Sequence, residues 1–355
     1  MPLSMHDRLR QQVPEIRVTK FLIAANLLVF VAMLFSGAGL WHSQNGVQLA
    51  WGANFGPATQ DGQWWRLGSA LFLHFGVLHL GLNMWALWDG GQWVERMFGH
   101  ARFVAIYLGA GLAGNLASIV FHAGHAVSGG ASGAIFGVYG ALLAYLWLHR
   151  REIHRREFRW LFGAVLVFSA LTIAFGLAVP GIDNAAHVGG LAAGLLLGLA
   201  LVPRPGGAAR RAAAVVLLAG AVAGLLAALP RPEYRWQDEQ AARREIGDFL
   251  REDAAIIANW NRLLAAGERN GLSFDELANR IERDVSARYQ RSFEELSALP
   301  GDPALPSAPA IEQFREYAER QRDASREMAE GLRERDPRKI GEALREAREA
   351  GRKRE

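Results

Sequence analysis

Along the first two-thirds of the chain, apolar residues come in long unbroken runs. Along the last third they come singly, at helical spacing. The runs extend from Phe21 to about Gly39, Phe75 to Val94, Phe103 to Phe121, Ser132 to Leu148, Trp160 to Val179, Ala185 to Val202 and Ala212 to Leu229. Apolar stretches of roughly 18 residues or more suit a hydrocarbon core of about 30 Å. The pattern therefore predicts an all-α fold, a polytopic membrane helical bundle. The start of the second span is blurred, because Leu67 to Leu73 is apolar but His74-Phe75-Gly76 interrupts it. The seventh run is rich in Ala and Gly.

From Pro230 onward the periodicity changes. Ile246, Phe249, Leu250, Ile256, Ile257, Trp260, Leu263 and Leu264 form a stripe near helical period. Asn270-Gly271 is a helix stop, and Ser273-Phe274-Asp275-Glu276 reads as a capping box opening the next helix. Gly301 to Pro309 breaks the pattern with prolines. Ile311 to Glu355 is a further charged helical stretch, interrupted near Asp336-Pro337. The expectation is a helical hairpin followed by a solvated tail. The chain divides into a polar segment 1–20, a membrane core 21–203, a basic linker with a seventh span 204–229, and a charged, water-soluble helical region 230–355.

Charge adds an orientation. The net charge is only +4 over 355 residues, but the arginines cluster in 1–20, 95–102, 149–159 and 203–211. Basic residues gather on the cytoplasmic side of spans, which puts the N-terminus inside and the tail after Leu229 outside. The first apolar run begins too late for a signal peptide. Trp41, Trp51, Trp64 and Trp65 in the connection after the first span suit a membrane interface. No basic stripe is interleaved with stacking aromatics, so nucleic acid is not an expected partner. Cysteine is absent, and no metal spacing or phosphate loop is visible, so neither metal nor other cofactor is expected. Usage rich in Ala, Arg and Gly suggests a bacterial inner membrane.

Polar groups inside spans are costly and mark function by default. His74, His79, Asn83, Ser132 and His187 stand out. With the topology above, the second, fourth and sixth spans all enter from outside. Asn83 then lies on the order of 12 Å below a helix start at Phe75, and His79 shares its helix face. These groups can meet in one outward-facing pocket. Ser132 lies between glycines at a helix N-terminus, where unpaired N–H groups and a partial positive charge favour an alkoxide or oxyanion. A serine needs an adjacent base, and His187 can supply it. Asn83, His79 and the Ser132 N–H can hold an oxyanion. Gly190, Gly194 and Gly198 lie on one helix face and allow close approach to a span lightened by Gly133, Gly137 and Gly140. Phe136, one turn after Ser132, can support the imidazole.

The combination of Trp65-Arg66, His74, His79, Asn83, Gly130-Ala131-Ser132-Gly133-Ala134-Ile135-Phe136-Gly137 and His187 with Gly190 and Gly194 resembles the rhomboid family of intramembrane serine proteases. The resemblance covers about residues 18–203. It implies a six-helix core, a catalytic Ser132–His187 dyad without a third carboxylate, and oxyanion binding at His79, Asn83 and the Ser132 N–H. The implied substrates are transmembrane or membrane-anchored proteins. Phe136 stands where the family often has Tyr, and Asp183, though near His187 in sequence, takes no catalytic role. Two other readings are a non-catalytic rhomboid-like protein that binds transmembrane helices, which an intact Ser132 and His187 disfavour, and a histidine-relay transporter. Against the transporter, no inverted repeat is visible and the spans are read as free of carboxylates. Substrate identity and oligomeric state are not set by the sequence.

Overall fold

The computed structural model describes residues 5–203 and 207–354. It is an all-α polytopic helical bundle, Met1–Pro232, followed by a second compact unit, Glu233–Glu355. Arg204 and the side chain of Leu264 lie outside the described residues.

A short helix α1 (Met5–Gln12) lays Met5 and Leu9 into the main core. The first long helix, α2 (Val18–Phe35), has no side-chain cap of its own. Its cap comes from far along the chain. The fully buried Glu95 carboxylate accepts the backbone N–H groups of Arg17, Val18 and Thr19 at 2.8 Å each, and the Thr19 hydroxyl at 2.6 Å. These donors would otherwise be orphaned at the helix start, so the helix opens at Val18, three residues before the apolar run.

The connection from α2 to the next span is folded rather than open. It holds α3 (Asn45–Ala50), α4 (Gly56–Gln60), α5 (Arg66–Ser69) and a 3₁₀ turn, Ala70–Phe72. Arg66 staples it: the buried guanidinium donates to the carbonyls of Leu49 and Ala53, at 2.8 and 3.0 Å, and to Gln63 Oε1 at 2.7 Å. Trp41, Trp64 and Trp65 stay exposed.

The chain then turns by 93° into α6 (Val77–Phe98). This break accounts for the blurred start of the second span. Gly99, at φ +80°, makes the turn into α7 (His100–Phe121). Next come α8 (Ser132–Leu148), α9 (Arg155–Ala178), α10 (Asn184–Leu201) and α11 (Ala208–Ala227). Five of these helices, α2, α7, α9, α10 and α11, are long and apolar enough to cross a membrane, and the bent pair ending in α6 makes a sixth. The protein is an integral, multi-pass membrane protein.

Helix α8 is shorter, at 17 residues, or about 25 Å. It is apolar all round and buried through Gly133–Leu142, as expected of a central helix. At its other end Arg150 stacks over Trp147, a pairing suited to an interface. Helix α11 buries only Ala214 and leaves a cavity of about 610 Å³ against α7 and α10. Beyond it Pro230 lies against Gly124, so the chain leaves the bundle at the end where α8 and α10 begin.

The second unit contains α12 (Trp236–Asn270), α13 (Phe274–Ile281), a π turn Glu282–Ser286, α14 (Ala287–Ser297), α15 (Ala308–Glu334) and α16 (Pro337–Arg354). Gly271 closes α12 in the left-handed region, and the Ser273 side chain accepts the Glu276 N–H at 3.2 Å. The expected stripe is narrower than its sequence pattern: Phe249, Ile256 and Leu263 are buried, whereas Leu250 and Ile257 remain exposed. The expectation of a solvated tail is corrected. Tyr317, Met328, Leu332, Ala343 and Ala350 enter one core with Phe249 and Ile281. Alanines let the charged helices approach closely while their charges face outward.

Candidate active site

Gly130 holds φ at +140°, a region that disfavours side chains, and its N–H donates to the Ala70 carbonyl at 2.8 Å. The turn releases Ser132 as the first residue of α8, and no side chain caps that helix end. Across from it, Asp183 caps α10 by accepting the Ala186 N–H at 2.9 Å, which sets His187 in the first turn. The two helices then meet backbone to backbone. A Cβ on Gly190 would strike the Gly133 carbonyl, and one on Gly194 the Gly137 carbonyl.

This approach brings Ser132 Oγ to 2.9 Å from His187 Nε2. The imidazole is buried and stacks on Phe136, with ring centroids 4.5 Å apart and planes at 11°. Asp183 turns its other oxygen to the Ser128 hydroxyl at 2.5 Å and makes no hydrogen bond to the His187 ring. Among the described residues, His187 Nδ1 has no hydrogen-bond partner. The pair is a dyad in its geometry.

His79 lies on the other side of the serine. A Cβ on Gly130 would come 2.8 and 2.9 Å from the His79 ring and 3.8 Å from Ser132 Oγ, so these groups border one small volume. His79 Nδ1 accepts the Phe75 N–H at 3.4 Å, an arrangement that leaves the proton on Nε2. Asn83 is buried, and its Nδ2 donates to the His79 carbonyl at 2.8 Å. An amide nitrogen carries two hydrogens. One is held by the helix and orients the group, and the other is available. His74 is fully buried and packs edge-on to His79 at 5.0 Å, away from the serine's own contacts. Among the described residues, no cluster of three His, Asp or Glu side chains could hold a metal ion.

A sequence model described as Rhomboid domain matches residues 61–204, the stretch that carries all five of these polar residues. The Bacillus subtilis (strain 168) protein YdcA, which carries a rhomboid protease name, is 33% identical over 189 residues, 53% of this chain and 89% of that protein. The chain belongs to the rhomboid family. Rhomboid protease GluP of the same organism is 35% identical over 281 residues, 75% of this chain and 54% of GluP. RHOMBOID-like protein 5 of Arabidopsis thaliana is 40% identical over 148 residues, 41% of this chain and 47% of that protein. This rhomboid thus spans about half the length of these last two relatives.

Two features of the rhomboid bundle escape the sequence reading. Asp89 lies within α6, where the spans were expected to be free of carboxylates; its Oδ2 is 3.5 Å from the Tyr139 hydroxyl. A carboxylate inside a span is a signal the sequence does display, and it corrects the reading of the spans as free of carboxylates. Asp183 and Ser128 are the second feature. Their bond links the loop before α8 to the start of α10, and only the fold brings them together.

Proposed function

We propose that the protein is an intramembrane serine endopeptidase acting on transmembrane or membrane-anchored proteins through Ser132 and His187. The observation that carries the reading is the 2.9 Å contact between Ser132 Oγ and His187 Nε2, made at the start of the short, buried helix α8. Ser132 Oγ attacks the substrate carbonyl carbon as its proton passes to His187 Nε2. The oxyanion is held by the free Asn83 amide hydrogen, His79 Nε2–H and the Ser132 N–H. The C–N bond then breaks, His187 gives the proton to the leaving amine, and Ser132 is left acylated. Water attacks the ester with His187 again as base and restores the hydroxyl.

In this reading residues 21–203 form the protease core, 204–229 add a seventh span, and 230–355 form a soluble helical region. The distribution of arginines supports an N-terminus in the cytoplasm of a bacterial cell with the pocket open outside. The names of YdcA and GluP both carry the words rhomboid protease and support the activity class.

The test uses the full chain in proteoliposomes. A fluorophosphonate probe is expected to label the wild type and neither Ser132→Ala nor His187→Ala, and both variants are expected to lose cleavage of a transmembrane reporter by more than about 10³-fold. Unchanged turnover in either variant removes the assignment. Absent labelling and cleavage in a folded wild type would instead indicate a protein that binds transmembrane helices.

A further inference from the structure

Helix α6 turns a stripe of large side chains outward: Leu78, Leu82 and Trp85 are 68%, 68% and 61% exposed. Asp89 follows one turn after Trp85 on the same face and is also exposed. An ionisable group on the outward face of a span is expensive to keep and is functional by default. Asp89 Oδ2 accepts a long hydrogen bond from the Tyr139 hydroxyl. The Tyr139 hydroxyl, 3.5 Å from the carboxylate, also donates to the Ala86 carbonyl at the shorter distance of 3.2 Å. The tyrosine is therefore satisfied without Asp89.

Its neighbours place Asp89 at a seam. Trp85 meets Phe168 of α9 edge-on with centroids 6.2 Å apart, and Tyr139 of α8 meets the same Phe168 at 4.9 Å. Helices α6, α8 and α9 therefore adjoin beside the carboxylate. Along α6, Asp89 is six residues beyond Asn83, about 9 Å deeper into the bundle.

We propose that Asp89 is a specificity-determining residue: its carboxyl group pairs with a hydrogen-bonding or cationic side chain of the substrate's transmembrane helix, about 9 Å deeper than the scissile bond. The proposal rests on the hydrolase reading above and names the substrate class of that site. Within hydrocarbon, a Gln, Asn or Lys side chain finds few other partners, so a carboxyl group at matching depth selects it. Trp85, one turn nearer the surface, adds a π face for a cation. A substrate with only Leu at that depth leaves the carboxyl facing lipid.

The experiment measures binding first, so that it does not depend on catalysis. Transmembrane peptides of about 24 residues, carrying Leu, Gln or Lys at the matching depth, are titrated against the Ser132→Ala protein in nanodiscs of neutral phospholipid, read by energy transfer. Gln and Lys peptides are expected to bind at least about fivefold more tightly than the Leu peptide. Asp89→Asn is expected to keep the Gln preference and lose the Lys preference, and Asp89→Leu to lose both. Equal binding of the three peptides, or a preference that survives Asp89→Leu, overturns the proposal. Cleavage is then followed with Ser132 restored. Preferential binding without cleavage supports the pairing and overturns the hydrolase reading, whereas cleavage without any preference does the reverse.

Discussion

Gly190 and Gly133 lie so close that a methyl group on Gly190 would collide with the Gly133 carbonyl oxygen. Gly133 directly follows Ser132, and Gly190 lies three residues after His187. The separation of these two backbones therefore sets the separation of the hydroxyl and the imidazole. Gly194 against the Gly137 carbonyl and Gly198 against Ala141 repeat the contact deeper in the bundle.

Gly190→Ala is expected to push α10 from α8 and impair cleavage while Ser132 and His187 are both present. Overpacking of this kind costs about 1–3 kcal/mol, and a misplacement on the order of 1 Å can cost about 10²-fold in rate. Fluorophosphonate labelling rate and thermal unfolding in detergent measure the two effects. A fully active Gly190→Ala would mean that the dyad does not depend on this contact. Gly220, with no atom within 4 Å of an added Cβ, is the control: Gly220→Ala should alter neither.

Asn83 supplies the next expectation. Its Nδ2 is oriented by the His79 carbonyl at 2.8 Å, which leaves one hydrogen for an oxyanion. Asn83→Ala should lower kcat by about 10²–10³-fold, with a smaller change in KM. Asn83→Asp, of nearly the same shape but without the donor, should fall as far. Were Asn83→Asp to retain full activity, the amide would be structural only.

Phe136 holds the imidazole by stacking, at 4.5 Å and 11°. Phe136→Leu keeps the bulk but removes the flat face, so the ring of His187 gains rotamer freedom. A fall in kcat of about tenfold is expected, the scale of losing roughly 1.4 kcal/mol of orientation. Phe136→Tyr keeps the face and should stay near wild type. Equal losses in both would point to the hydroxyl's surroundings instead.

Much of this architecture is legible in the sequence, because apolar run length maps directly onto spans and small residues at a spacing of four map onto close helix contacts. Ser132, His187, His79 and Asn83 are found because each is a polar group in an apolar run. What the pattern misses is set by long-range partners. The start of α2 at Val18 depends on Glu95, which local sequence cannot reveal. The buried face of α15 and α16 is carried by alanines and single large residues among charges, so it reads as a solvated tail until the helices are placed together. Asp89 is different in kind. It lies in plain view inside an apolar run, and it is overlooked when the run is judged by its average.

The second unit offers an expectation in pH. Glu282, in the π turn, accepts from Arg333 Nη1 and Nη2 of α15 at 2.7 and 2.6 Å. These hydrogen bonds hold the Glu282 carboxyl below its ordinary value of 4.5. A folded value depressed in this way means that the folded state holds its proton less tightly than the unfolded state. The pair's contribution is therefore fully present above about pH 4.5 and fades as the pH falls through the folded value. Both side chains are about two-fifths exposed, at 43% and 37%, so solvent screening keeps the contribution small. Hydrogen exchange of the α15 amides in the full-length protein measures it. Glu282→Gln should raise exchange at about pH 6 by no more than about fivefold, and the gap from wild type should close as the pH approaches about 3. High salt should narrow the gap at about pH 6 as well. A gap that stays constant from about pH 6 to about pH 3 would show that Glu282 acts there through packing and not through its charge.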